Sequence, residues 1–526
     1  MKIRDWGLPL SLANLLFYPV WAELLPGCYG HYYLKNPPGL NFNLGMLLVV
    51  SGVAALLWLG IQIFRQVKHP ALRALGKAIF LVFFLLAFNG IRYHILRFAP
   101  IIPFDQQALF GKIDLFLVRP LVLGSALLLL TKWRGRVVRA AKGLTLALLP
   151  FVVVTFSQVA WASVKLEVGL PFPEFLDQPS APLLPVKPGT PRILWFLFDG
   201  CDQRLTFDER LPGRALPNLD RLRQEVLYAS DAHSPATDTR ESLPALLTGI
   251  RNAYVCPVRP NDLLIRHDNT GVMELWSAQP NVFSKARQLG CNTALVGYYH
   301  PYSRIIGRHL SKCLWITGSF DPMGLNEPTM TLLKAISRIL AREADRLLVS
   351  TPYVWRLGLS PRSENPSETG TRSIPDHIKD YLYVREEAGA LVRDPNFQLI
   401  FIHWPVPHAP FIYDRQTGRF SPDRQTSYSD NLALVDRTVG EIRKLLEESG
   451  LWDSTILVIT SDHAWERRDV SAVPFLLKLP GQKKGVPYSK RFETIMTSDL
   501  LLDLLSGKPS DPQHVVSWMD KNRIAK

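Results

Sequence analysis

The pattern of apolar and polar positions changes character once along the chain, near residue 163. Before that point long apolar runs dominate: Leu8 to Leu25, Leu44 to Phe64, Ala78 to Leu96, Asp114 to Thr131 and Lys142 to Trp161. Each approaches the ~20 residues that a helix needs to cross a hydrocarbon layer. Residues 1–163 are therefore expected to form an α-helical membrane domain of about five transmembrane helices. The first run contains Pro19 and Glu23 and the fourth contains Arg119 and Pro120, so these two are the candidates for broken or tilted helices.

From Arg192 onward short apolar runs alternate with charged, helix-periodic stretches. Arg192 to Asp199, Thr293 to Tyr298, Gln398 to His403, Thr455 to Thr460 and Val473 to Leu479 read as strands buried on both faces. Asn281 to Leu289, Thr329 to Leu348 and Ser429 to Glu448 read as helices. The alternation predicts an α/β domain over residues 192–526, a central mixed sheet sandwiched by helices, with ligands bound beyond the carboxyl ends of its strands. Residues 164–191 hold seven prolines and are expected to form an extended, semi-rigid linker.

A net charge of +14 suggests nucleic acid until the cations are located. Arg65, Lys68, Arg73 and Lys77 lie between the second and third apolar runs; Lys132, Arg134, Arg136, Arg139 and Lys142 lie between the fourth and fifth. Such loops stay in the cytoplasm. No nucleic-acid partner is expected, and the chain reads as a multi-pass protein of the cytoplasmic (inner) membrane whose C-terminal domain is periplasmic or extracellular. The first apolar run lacks a cleavage site and is expected to remain. Arg92 and Arg97 fall at the outer end of the third span, placed to snorkel or to meet an anionic lipid. The five cysteines form no CxxC pair, which argues against a zinc ribbon or a thioredoxin-like motif. Four of them lie in the C-terminal half, where one or two disulfides are possible in an oxidising compartment.

Two strand ends carry residues suited to a divalent cation: Asp199 after the first strand, and Asp462 with His463 after TILVIT. Either alone reads equally as a turn or cap residue. A third segment, SPATDTRESLPALLTG over residues 234–249, places the Thr239 hydroxyl before a helical run, where backbone amides and the helix dipole favour a phosphate or an oxyanion. An N-cap role for Thr239 or Asp238 is the structural alternative.

Taken together these residues resemble the alkaline phosphatase and sulfatase superfamily: an Asp closing the first strand, a hydroxyl ten residues before the glycine of LLTG, and a late SDH. Thr239 falls on the sulfatase nucleophile position, but threonine cannot become formylglycine and the flanking Pro and Arg are missing, which argues against sulfate-ester hydrolysis. Ser242 and Pro244 follow Thr239 as in phosphoethanolamine transferases, which, like the lipoteichoic acid synthases, carry five membrane helices before the catalytic domain. The resemblance implies a membrane phosphotransferase with Thr239 as nucleophile. One divalent ion, zinc or manganese, would be held by Asp199, Thr239, Asp462 and His463. His408 of FIHWPVPHAPF would be a second catalytic residue, with His403, Arg240 and Arg467 binding substrate. A membrane phospholipid is the implied donor and an envelope glycan or glycolipid the acceptor. SDHAWERRD replaces the usual SDHGES, so Ala464 and Trp465 alter the floor of the site, and Arg467 and Arg468 either supply the positive charge that a second metal supplies elsewhere or form a solvated face. A phosphodiesterase or phosphatase, with water in the second step, is the rival within enzymes. A non-catalytic membrane scaffold is the rival outside them.

Overall fold

The computed structural model describes residues 3–24, 29–98, 134–317, 323–325, 327, 329–350, 374–423, 426–465, 472–508 and 511–522. The chain divides into two compact units: residues 1–173 with 258–260 and 322–369, and residues 174–257 with 261–321 and 370–526.

Unit 1 is helical. The first apolar run is broken at Phe17 into α1 (Ile3–Leu16) and α2 (Tyr18–Leu24), because Pro19 has no amide hydrogen to continue the ladder. Next come α3 (Leu40–Gln66) and α4 (Pro70–Phe98), then α5 (Arg134–Ala147) and α6 (Pro150–Glu167). Three stretches, Leu40–Gln66, Pro70–Ile91 and Gly135–Glu167, are long and apolar enough to cross a membrane. The expected span Asp114 to Thr131 lies outside the described residues. Leu48, Leu56, Leu59 and Ile63 on α3 are half or more exposed, as side chains facing lipid would be. Inside the bundle Trp6 stacks on Trp58 at 4.9 Å, and the Thr155 hydroxyl donates to Asn14 Oδ1 at 2.8 Å, a polar contact between two helices.

The helix Leu332–Ser350 corrects the expected layout. It lies in the chain between strands of the sheet unit, yet it packs against α3 in unit 1. A Cβ built on Gly45 of α3 would sit 3.4 Å from Ile339 and 3.5 Å from Ala335. Just before it, Asn41 donates to the Met330 carbonyl at 2.7 Å and the Gly39 amide to the Leu325 carbonyl at 3.2 Å. Helical periodicity in the sequence marks an inward face without saying what that face meets.

Unit 2 is built on an eight-stranded sheet. Its strands are β1 (Arg192–Phe198), β2 (Leu227–Ala229), β3 (Thr293–Tyr298), β4 (Lys312–Ile316), β5 (Leu399–Trp404), β6 (Thr455–Ser461), β7 (Phe475–Lys478) and β8 (Val486–Tyr488), in the order β8-β2-β7-β6-β1-β5-β3-β4. From β6 to β4 all neighbours are parallel, whereas β7 runs antiparallel to both β6 and β2. The sheet is mixed, as expected. All seven residues of β1 are buried, which suits a strand covered on both faces. Arg192 anchors its start by donating to the carbonyls of Leu391, Val392 and Asp394; burial pulls its pKa down to about 10. The helices that carry the argument below are α7 (Pro217–Glu225), α8 (Thr239–Thr248), α9 (Ile374–Arg393) and α10 (Tyr428–Glu448).

The proline-rich segment lies along unit 2 instead of spanning open solvent. Gln178 and Ala181 donate backbone hydrogens to the carbonyls of Ser303 and Leu310, and the Leu184 amide donates to Asn292. Cys201, Cys256, Cys291 and Cys313 are all free thiols, so none of the disulfides that an oxidising compartment would permit forms among them. Burial raises their pKa, for Cys201 to about 12, which leaves these thiols unreactive.

Candidate active site

Four adjacent parallel strands, β6, β1, β5 and β3, deliver polar residues at their carboxyl ends: Asp462 and His463, Asp199, His408, and His300. Parallel strands bring these loops to one edge, and the loops are stitched together. The Gly200 amide donates to Asp462 Oδ1 at 3.1 Å, the Cys201 amide to Ser461 Oγ at 2.8 Å, and the His408 amide to the Asp199 carbonyl at 3.0 Å.

Thr239 arrives from a separate element. Asp238, with extended backbone, is the N-cap of α8, its carboxylate accepting from the amides of Arg240 and Glu241. The cap role therefore falls to Asp238, and the Thr239 hydroxyl serves the site. It donates to Asp199 Oδ1 at 3.3 Å and lies 3.3 Å from His463 Nε2. Thr239 is buried at the positive end of the helix.

Asp199, His408 and His463 each present a ligand atom within 4.8 Å of the others. Asp462 Oδ2 stands 3.7 Å from His463 Nε2. Both imidazoles use Nδ1 on a backbone carbonyl, His408 on Ala409 and His463 on Ala464, each at 2.8 Å, which directs the Nε2 lone pair of a neutral ring inward. Asp199 Oδ2 and Asp462 Oδ2 are buried without a hydrogen-bond partner. Orphaned carboxylate oxygens beside inward imidazole nitrogens fit a divalent cation, since buried charges otherwise need partners. Burial alone would raise the Asp199 carboxyl, but the imidazoles of His408, His463 and His403 hold it below the usual carboxylate range. Burial opposes charge on His463, yet Asp462 and Asp199 push it up to about 10. Without a cation, a proton takes its place.

The remaining expected residues lie as follows. His403 is fully buried on β5, its Nδ1 2.9 Å from the Tyr298 carbonyl and 3.0 Å from the Tyr302 hydroxyl. Burial holds it below the ordinary imidazole range, against the pull of Asp462 and Asp199. Arg240 follows Thr239 on α8, with a guanidinium nitrogen 3.9 Å from Asp238. Arg467 and Arg468 lie outside the described residues. His408 joins the group of potential ligands, in addition to the catalytic part expected of it. His300 was not anticipated: it is fully buried, hydrogen-bonds to the Thr239 backbone, and burial keeps its pKa well below the ordinary imidazole value. Its signal in the sequence was a histidine in the GYYHP loop after a strand, at the same sheet edge as the others.

Gly200 sits directly beneath the two imidazoles at φ +71°, and a Cβ there would lie 3.3 Å from His408 Cδ2 and 3.5 Å from His463 Cε1. Both the backbone conformation and the close approach require glycine. Gly200→Ala is expected to weaken cation binding about tenfold or more, measured by titration of the chelated full-length protein with zinc and manganese. Unchanged affinity would show that the rings tolerate displacement.

A family model described as Sulfatase matches residues 209–495, more than half of the 526-residue chain. The chain is similar to solved structures of a protein in the alkaline phosphatase superfamily from Vibrio parahaemolyticus (14% identity, 62% of this chain and 68% of that one, TM-score 0.38). It is also similar to a phosphonate monoester hydrolase from Agrobacterium radiobacter (14%, 60% and 74%, 0.38) and to a sulfatase from Pseudoalteromonas sp. (17%, 60% and 68%, 0.38). No curated protein matches the chain in sequence.

Proposed function

The chain belongs to the sulfatase family, and from that premise we propose that it is a membrane-bound phosphotransferase. It moves a phospholipid headgroup phosphoryl, such as phosphoethanolamine, through a phospho-threonine on Thr239 to a hydroxyl of an envelope glycan or glycolipid. The observation that carries this reading is the Thr239 hydroxyl, buried at a helix N-terminus and 3.3 Å from both Asp199 and His463. A threonine cannot supply the aldehyde hydrate of sulfate-ester hydrolysis, but it can be an oxygen nucleophile toward phosphorus. The apolar helices of unit 1 support a lipid donor, and the basic segments from Arg65 to Lys77 and from Lys132 to Lys142 support an orientation with unit 2 on the extracytoplasmic side.

Asp199, Asp462 and His463 would hold one divalent cation, which supplies positive charge that eases loss of the Thr239 proton and offsets charge on the phosphoryl oxygens. Thr239 Oγ, its proton released to water, forms a bond to phosphorus while the bond from phosphorus to the diacylglycerol oxygen breaks, and protonated His408 gives that oxygen its proton. In the second half an acceptor hydroxyl attacks phosphorus, its proton passes to His408, and the bond to Thr239 breaks, Oγ regaining a proton from water. The positive end of the α8 dipole, where Thr239 lies, favours the negative charge of the phosphoryl oxygens in both halves.

Incubating the full-length protein in detergent with phosphatidylethanolamine and no acceptor is expected to add one phosphoethanolamine to the peptide carrying Thr239, read by mass spectrometry. An adduct that water discharges as fast as an acceptor glycan would assign the protein as a hydrolase. No adduct from any glycerophospholipid would overturn the donor assignment.

A further inference from the structure

A cavity of about 320 Å³ lies beside the cation cluster, lined by Leu205, Leu211, Leu216, Leu432, Tyr428 and Trp465, with Arg214 among its polar edges. Two of its walls also touch the cluster. The Trp465 ring meets the His408 ring edge-on at 5.6 Å and stacks on Tyr428 at 5.1 Å. The Tyr428 hydroxyl donates to the Gly200 carbonyl at 2.9 Å, and Gly200 lies under the imidazoles of His408 and His463. One aromatic side chain, Trp465, therefore separates His408 from the cavity.

Its chemistry is amphiphilic. The leucines and the two aromatic rings offer an apolar wall, and Leu211 is 60% exposed among the described residues. Arg210 is occupied by a two-pronged pair with Asp220. Arg214 is held more loosely, 3.4 Å from Asp430 and about a third exposed, which leaves it able to face an anion. An apolar wall with one loosely held guanidinium complements an alkyl chain attached to a phosphate. A free sugar would want planar polar groups where the leucines stand.

We propose that this cavity receives the apolar alcohol portion of the phosphate ester, the glycerol and first acyl carbons of a glycerolipid, while Arg214 meets the ester's negative charge. The proposal rests on the reading of the cluster as a phosphoryl-transfer centre. It assigns Leu211, Leu205 and Arg214 as specificity determinants that take no part in the chemistry.

Non-hydrolysable alkylphosphonates test it by binding alone. Calorimetry on the full-length, manganese-loaded protein in detergent should show hexylphosphonate binding about tenfold or more tighter than methylphosphonate, from burial of its added methylenes. Leu211→Glu should remove that preference, and Arg214→Gln should weaken both ligands severalfold. Equal affinity for the two phosphonates in the unaltered protein would overturn the cavity assignment while leaving the transfer centre intact. So would a preference that survives in both Leu211→Glu and Leu205→Glu. Absence of any manganese-dependent phosphonate binding would overturn the transfer centre itself.

Discussion

Thr239→Ala is expected to lower headgroup transfer by on the order of 10³-fold or more, because it removes the atom that forms the covalent bond. The fold should tolerate the change. Asp238, and not Thr239, caps α8, and the lost contacts are two long ones at 3.3 Å. Thr239→Ser keeps an oxygen at the same place and should retain measurable transfer. Initial rates with a fluorescent phosphatidylethanolamine, compared at matched melting temperature, check this. Alanine activity within tenfold of the unaltered protein would move the nucleophile elsewhere.

Removing the cation should cost stability as well as activity. Asp199 and Asp462 each keep a buried oxygen without a hydrogen-bond partner, and a ligand that binds only the folded form at a thousand times its Kd contributes about 4 kcal/mol. For a unit of this size that corresponds to roughly 10 °C in Tm. The difference should grow with pH. In the cation-free protein His463 is held near 10 by Asp462 and Asp199 against the effect of burial. A raised imidazole pKa stabilises the fold fully below the unfolded value of about 6.5 and loses that contribution as pH rises through the folded value. Over the same window the cation displaces a proton less often and binds more tightly. Melting curves with and without chelator at pH 6.5, 8 and 9.5 should diverge. A constant difference across that range would place the cation away from His463.

Much of the α/β half was legible because buried strands advertise themselves. Each of the five apolar runs anticipated after residue 191 is a strand of the sheet, including the antiparallel β7. Three short strands, β2, β4 and β8, give no such signal: they are three to five residues long, too short for a two-residue period to register. The helix α9 was overlooked because Asp376, Lys379, Arg385 and Glu386 dilute its apolar stripe. At the site, Asp199, Asp462 and His463 could be read because each ends a strand. That Thr239 meets them is a tertiary fact which spacing along the chain does not encode. His300 went unread because a lone histidine in a loop carries no periodic signal.

The return of Leu332–Ser350 to α3 also fixes an order of assembly. The face of α3 around Gly45 receives Ala335 and Ile339, and these residues are translated only after β1 to β4 of unit 2. The helical bundle thus waits, with a groove uncovered, for a segment translated in the middle of another domain. A chain shortened to begin at the sheet unit would carry that segment as an amphipathic stretch lacking its natural seat, so the two halves of this protein are not independent cassettes that one cut can separate.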